Sequence, residues 1–207
     1  WTGSAWESLS FNPLDTVTDS FWWGFDVAYE TTSGDAVMVW NNGSTGTAGI
    51  SYRVWNGSTW TGESTITTPL SGEPVQMQLA ASPDSDEMVL IASNSAGNDY
   101  AFVWDGSSWG NSITLATTAD NKTEVNVAYE QTSGDALVIY GKISDEIYYR
   151  TWDGTQWSGE NWTAVASGTS TSSSSRWSTI ASDPNSDRIV IGVHNQVNDG
   201  WVAIWDG

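Results

Sequence analysis

The chain has 207 residues, of which 25 are acidic and 6 basic, giving a formal net charge of −19; it carries fifteen tryptophans and no cysteine. Like charges repel, so nucleic acid and anionic membrane surfaces are excluded as partners, and the lack of thiols excludes a disulfide framework or a thiolate metal site. No apolar run approaches the roughly 20 residues of a spanning helix, so membrane insertion is not expected, and no signal segment is recognised. Residue 1 is Trp rather than Met, which reads as a processed chain or a piece of a longer one. Scarce Lys with abundant Ser, Thr, Asn and Gly suits an extracellular or cell-surface protein.

In chain order the same four segments recur. The first is an apolar strand: DVAYE (26–30), QLAAS (78–82), NVAYE (126–130) and TIASD (179–183). A polar turn follows, TTSGD, PDSDE, QTSGD or PNSDR, and then a second strand, AVMVW (36–40), MVLIA (88–92), ALVIY (136–140) or IVIGV (189–193). A polar loop leads into a third strand, ISYRVW, YAFVW, IYYRTW or WVAIW. Each third strand ends on the Trp of a hairpin motif, WNGSTW from Trp55, WDGSSW from Trp104, WDGTQW from Trp152 and a terminal WDG from Trp205. Gly after Asn or Asp is a strong hairpin signal, because Gly takes positive φ without steric cost. The fourth strand is expected to start at the second Trp of the motif, as at Trp60, Trp109 and Trp157. Short strands rich in Val, Ile, Tyr and Trp between turn residues are all-β.

Four strands per unit at spacings near fifty residues is the arithmetic of a β-propeller blade. Ala28, Ala80, Ala128 and Ala181 share one aligned place in the first strand, where innermost strands converge and a small side chain has a steric reason. From Glu87, Asp135 and Arg188 the next hairpin Trp lies seventeen residues on; from Asp35 it lies three further, an insertion in 41–47. The repeats alternate: the first and third share AYExTSGDA and YRxW, the second and fourth share the turns SPDSDE and DPNSDR. That pattern implies a two-blade unit duplicated once. WTGSAWES (1–8) matches WSGENWTA (157–164), so the N-terminus is expected to supply the strand the fourth repeat lacks. The expected fold is therefore all-β: one domain over 1–207, a four-bladed β-propeller of four-stranded antiparallel blades, its last blade closed by the N-terminal strand.

On these repeats the chain resembles extracellular-type β-propeller repeat proteins along essentially its whole length. The WxGxxW hairpin also resembles a shortened Asp-box, the S-x-D-x-G-x-x-W turn of sialidase-like propellers, although in TWDGTQW (151–157) Asp and Gly are adjacent. Asp-boxes are structural turns, so the resemblance assigns Asp105, Asp153 and Asp206 no catalytic role. It implies ligand binding on the face where loops enter the inner strands.

Nucleophilic catalysis lacks a set of residues. His194 is the single His and aligns with Asn41, Ser93 and Gly141, so nothing recurrent pairs with it. Arg53 and Arg150 occupy equivalent places in alternate repeats, where bridging blades is the simpler role. The chain is therefore read as not an enzyme, with glycoside hydrolysis as a remote alternative. For cations, oxygen-rich positions suit calcium, and the candidates are Asp26, Glu30, Asn126, Glu130 and Asp183. Hydrogen bonding to neighbouring backbone is the favoured role for these five, and no cofactor is expected. Eight tryptophans belong to the repeated hairpin; Trp22, Trp23 and Trp177 interrupt the repeat near the inner strands. An indole face rimmed by Asn and Asp is what stacking on a sugar ring requires, so these three are the candidate ligand-binding residues. Four N-x-S/T sequons, at Asn42, Asn56, Asn121 and Asn161, are about as many as chance supplies. The first reading is a non-catalytic extracellular binding or structural module, such as a subunit or domain of a surface fibre or adhesin that contacts neighbouring subunits. The alternative is a lectin-like propeller that binds glycans through exposed Trp.

Overall fold

The structure, a computed structural model, describes residues 24–42, 49–67, 72–117, 125–142, 146–164, 175–195 and 199–207. Within them the chain forms four antiparallel meander sheets, one per repeat. The first sheet, blade 1, contains β1 (Phe25–Tyr29), β2 (Ala36–Asn41), β3 (Ile50–Trp55) and β4 (Ser64–Ile66). Blade 2 contains β5 (Pro74–Ala81), β6 (Met88–Asn94), β7 (Asp99–Trp104) and β8 (Trp109–Ala116). Blade 3 contains β9 (Asn126–Tyr129), β10 (Ala136–Gly141), β11 (Glu146–Trp152) and β12 (Asn161–Ala164). Blade 4 contains β13 (Ser175–Ser182), β14 (Ile189–Asn195) and β15 (Gly200–Trp205). The turn between the first two strands closes alike each time, with Glu30, Ser82, Glu130 and Asp183 donating their N–H to Asp35, Glu87, Asp135 and Arg188 at 2.7–2.8 Å.

The hairpin motif folds as its sequence demands. Gly57, Gly106 and Gly154 take φ of 84°, 90° and 82°, where an L side chain is strained. The preceding Asn56, Asp105 or Asp153 accepts through Oδ1 from the backbone N–H groups two and three residues on, at 2.8–3.1 Å. The Thr155 hydroxyl and the N–H groups of Gln156 and Thr155 hold the Asp153 carboxyl down at about 2. Two indoles face each other at the foot of each hairpin, with ring centroids 5.6, 5.4 and 5.3 Å apart in Trp55–Trp60, Trp104–Trp109 and Trp152–Trp157.

The fourth strand departs from the sequence expectation in two sheets. Only β8 begins at the second Trp; Trp60 and Trp157 form isolated bridges, and β4 and β12 start at Ser64 and Asn161. A side-chain hydroxyl interrupts the ladder there: Val54 N–H donates to Thr61 Oγ1 at 2.9 Å and Thr151 N–H to Ser158 Oγ at 2.8 Å. Arg53 and Arg150 also differ from the bridging role expected of them, since both act within their own sheets. Arg53 lies 3.9 Å from Glu63, and Arg150 donates to the Ser158 carbonyl at 2.6 Å.

The first strands are innermost and neighbour one another in the order β1, β5, β9, β13. Three apolar cores lie between successive sheets. Val37, Val39 and Ile50 meet Leu79, Leu90 and Phe102; Val89, Ile91 and Ala101 meet Val125, Val127 and Val138; Leu137 and Ile139 meet Ile189 and Ile191. Face-to-face sheet packing of this kind supplies the main burial of apolar area. Ala28, Ala80 and Ala128 sit in or against the three cores, whereas Ala181, the fourth residue at this aligned place, is exposed.

Among the described residues the four sheets do not close into a ring. Phe25, Val27 and Tyr29 on β1 are 62, 52 and 64% exposed, and Val190, Val202 and Ile204 on blade 4 are 45, 69 and 65% exposed. Among the described residues three apolar cores join successive sheets and none joins blade 1 to blade 4, so these faces are exposed. The expected pairing of residues 1–10 with β15 lies outside the described residues, among which β15 is the outer strand of its sheet.

One buried acid carries a pH dependence. Asp99 at the start of β7 is 1% exposed, and desolvation pushes its carboxyl up to about 7, with the Ser93 hydroxyl opposing. A free carboxyl titrates near 3.8, so folding takes up a proton between these values. Stability from this group is therefore full below about pH 4, falls as pH rises to about 7, and is level above. Denaturant unfolding of Asp99→Asn should show that decline flattened, and at pH 8 the variant should exceed the parent by about 1–2 kcal/mol. An unchanged pH profile would contradict this assignment.

Candidate functional site

The acids and amides of the first strands are committed to joining sheets. Glu30, 4% exposed, accepts the Trp104 indole N–H of blade 2 through Oε1 at 2.5 Å and the Ser33 hydroxyl through Oε2. In return Asp86 of blade 2 accepts the N–H groups of Thr32 and Ser33 at 2.8 and 2.9 Å. Between blades 3 and 4 the same set recurs: Glu130 accepts from Trp205 at 2.5 Å and from Ser133, and Asp187 accepts from Thr132 and Ser133 at 2.7 and 2.9 Å. The seam between blades 2 and 3 is built differently. There Tyr129 donates its hydroxyl to Glu87 at 3.0 Å, and Gln76 Nε2 donates to the Val125 carbonyl at 3.2 Å.

Nearer the axis one aligned position bridges every seam. Asp26 Oδ2 accepts Leu79 N–H at 2.7 Å, Gln78 Oε1 accepts Val127 N–H at 2.8 Å, and Asn126 Nδ2 donates to the Ser178 carbonyl at 3.0 Å. Asp26 Oδ1 is taken by Val27 N–H at 2.8 Å. Burial raises the Asp26 carboxyl, and the N–H groups of Leu79 and Val27 act in the opposite sense. Asp183 caps its own turn, accepting from Asn185 N–H at 3.0 Å and the Ser186 hydroxyl at 2.7 Å.

Four of the five cation candidates are thus spread along the seams, and Asp183 is held within its own turn. Among the described residues no group of three or more His, Cys, Asp or Glu is placed to hold a metal ion. The signal for the seam role was the alternation itself: ExxS in odd repeats faces the Asp of the Pro-containing turn in even ones.

A cleft of about 320 Å³ opens where the inner strands converge, bounded by all four sheets. Its polar rim is Asp26, Gln76, Gln78 and Asn126, and its aromatic walls are Phe25 and Trp177. Gln76 is 6% exposed, and its Oε1 is buried without a hydrogen-bond partner. Trp177 is 48% exposed and lies within β13, just past a register shift between Ser175 and Trp177, rather than in the loop before it. Of the three tryptophans singled out from sequence, Trp177 therefore lines the cleft, whereas Trp22 and Trp23 lie outside the described residues. Gln76 was not singled out from sequence; it stands in blade 2 where blade 4 has Trp177. A second exposed indole, Trp162 on β12 at 56%, lies on an outer strand away from this cleft.

Similarity to known proteins enters through structure. No family model matches the sequence, and no curated protein does. The chain superposes on the Aleuria aurantia lectin, described as a fungal six-bladed β-propeller with a fucose recognition mode, with a TM-score of 0.55 at 16% identity over 83% of this chain and 53% of that one. The chain has the β-propeller fold. A mutant of AofleA from Arthrobotrys oligospora matches with a TM-score of 0.55 at 12% identity over 87% of this chain and 53% of that one. The NanB sialidase of Streptococcus pneumoniae matches with a TM-score of 0.54 at 12% identity, over 85% of this chain and 30% of that one. The chain thus spans about half the length of the lectins and under a third of the sialidase. No helix among the described residues is long and apolar enough to cross a membrane.

Removing Glu30 leaves the buried Trp104 indole N–H without its acceptor, and removing Glu130 does the same to the partly buried Trp205 indole. Glu30→Ala and Glu130→Ala should each cost about 1–3 kcal/mol in denaturant unfolding, with Gln at either position costing less. Thermal melts of the parent in calcium and in chelator should agree within about a degree or two, where an ion at 100 times its Kd would add roughly 2.7 kcal/mol.

Proposed function

We propose that the protein is a non-catalytic, lectin-like propeller that binds glycans outside the cell, using the axial cleft with Trp177 as its stacking platform. The observation that carries this reading is a half-exposed indole set beside hydrogen-bonding amides in a cleft of about 320 Å³. A sugar ring has an apolar face and a rim of hydroxyls, so Trp177 takes the face while Gln78 Nε2 and Asn126 Oδ1, the amide atoms not used in the seam bonds, are placed to meet the rim. Stacking needs no cation, which suits a chain with 6 basic residues.

The lectin neighbours favour this reading over a surface-fibre or adhesin module, and the composition supports an extracellular location. Sialidases share the fold too, so fold alone does not separate binding from hydrolysis. The non-catalytic reading rests on the chemistry of the cleft. Its one lining carboxylate, Asp26, already accepts a backbone N–H on each oxygen.

A glycan array on the parent and on Trp177→Ala tests the proposal, with Trp22→Ala and Trp23→Ala alongside. We expect Trp177→Ala to lose at least tenfold in affinity while keeping the parent melt. Binding that survives all three changes would remove the site assignment, and a parent that binds no glycan would restore the fibre or adhesin reading. Release of free sugar from a bound glycan would overturn the non-catalytic part.

A further inference from the structure

The two open faces at the ends of the chain are the two halves of an interface that the chain already contains. Phe25, Val27 and Tyr29 occupy in β1 the places that Val125, Val127 and Tyr129 occupy at the head of blade 3. The blade 3 residues are 0, 3 and 2% exposed because blade 2 covers them. Val190, Val202 and Ile204 of blade 4 likewise occupy the places of Val89, Ala101 and Val103 of blade 2. Those three are 0, 0 and 2% exposed because blade 3 covers them. The face left open on blade 4 is therefore of the kind that receives an odd-numbered blade, and the face left open on blade 1 is of the kind that docks onto an even one.

The sizes are matched as well. Blade 4 has Gly192 where blade 2 has the buried Ile91, and Gly200 where blade 2 has Asp99. These glycines leave a groove of about 380 Å³ on the open face, walled by Trp177, His194 and Val202. The docking face has changed in the opposite sense, carrying Phe25 where blade 3 carries Val125. A larger side chain thus faces a roomier socket, the compensation that close packing demands. The polar pair reverses without loss. In the covered interface Tyr129 donates to Glu87; Tyr29 would meet Arg188, whose guanidinium donates to the phenol oxygen.

We propose that blade 4 of one chain receives blade 1 of a second copy of the same chain, head to tail. The occupant is a second copy because each chain carries both complementary halves, at opposite ends. The contact is heterologous, so one copy's blade 4 face and the next copy's blade 1 face are different surfaces. Association buries apolar area between two acidic chains, so added salt strengthens it. Trp177 borders both the groove and the axial cleft, so the substitutions below leave it intact and separate this proposal from glycan binding.

Sedimentation velocity of the 207-residue chain at tens of micromolar tests it. The parent should sediment above the single-chain mass. Val27→Arg and Ile204→Arg change exposed positions on opposite ends, and each variant alone should sediment as a single chain. An equimolar mixture of the two should recover a two-chain species, because each retains the half that the other lost. Tyr29→Glu with Val202→Glu provides a second pair should either arginine variant lose its near-ultraviolet circular dichroism. A parent of single-chain mass overturns the proposal, and so does a mixture that stays single-chain. A single-face variant that still self-associates overturns it too, since that contact would be isologous.

Discussion

Every sheet in this protein is apolar on both faces, and that requirement governs the rest of the structure. A sheet with one wet face can end a fold, but a sheet such as blade 2 or blade 3 must be covered twice. Residues on alternate sides of one strand therefore serve different cores. Leu90 faces blade 1 while Val89 and Ile91 face blade 3. Burial on both sides explains the near-continuous apolar runs MVLIA and ALVIY, which look like core helix or buried strand until their length and flanking turns are weighed. It also explains why the seam carboxylates have no freedom. A carboxylate between two covered sheets must find donors, and Glu30 and Glu130 find them in the indoles of the next sheet.

Strand positions, turns and the alternation of repeats were legible because each has a local cause: a Gly at positive φ, an Asx cap, a two-residue period. The beginnings of β4 and β12 were not legible, because Thr61 and Ser158 replace a ladder partner with a hydroxyl, and one such residue leaves no periodic trace. Closure was not legible either. Whether the last sheet meets the first depends on a rotation summed over three seams, and no single residue reports that sum.

The candidate site was half readable. Trp177 stood out because it breaks the repeat, and an indole in place of Gln76 has no scaffold reason. The roles of Asp26, Glu30 and Glu130 needed coordinates, because a carboxylate that accepts an indole N–H and one that ligates calcium look alike in a sequence. Both partners of each latch were nonetheless visible in the alternating turns, separated by more than fifty residues. Distance along the chain, rather than subtlety of motif, hid the pairing.

The two kinds of seam have a consequence for how such chains can grow or shrink. An odd blade latches to the next even one through glutamate and indole, whereas an even blade meets the next odd one through tyrosine and an apolar face. Inserting or deleting one blade would set two surfaces of the same kind against each other, with acceptors facing acceptors and indoles left over. Adding or removing a pair leaves every seam matched. Any closed ring built from this repeat, whether from one polypeptide or several, must therefore contain an even number of blades. Parity, more than length, is what selection on such a chain has to respect.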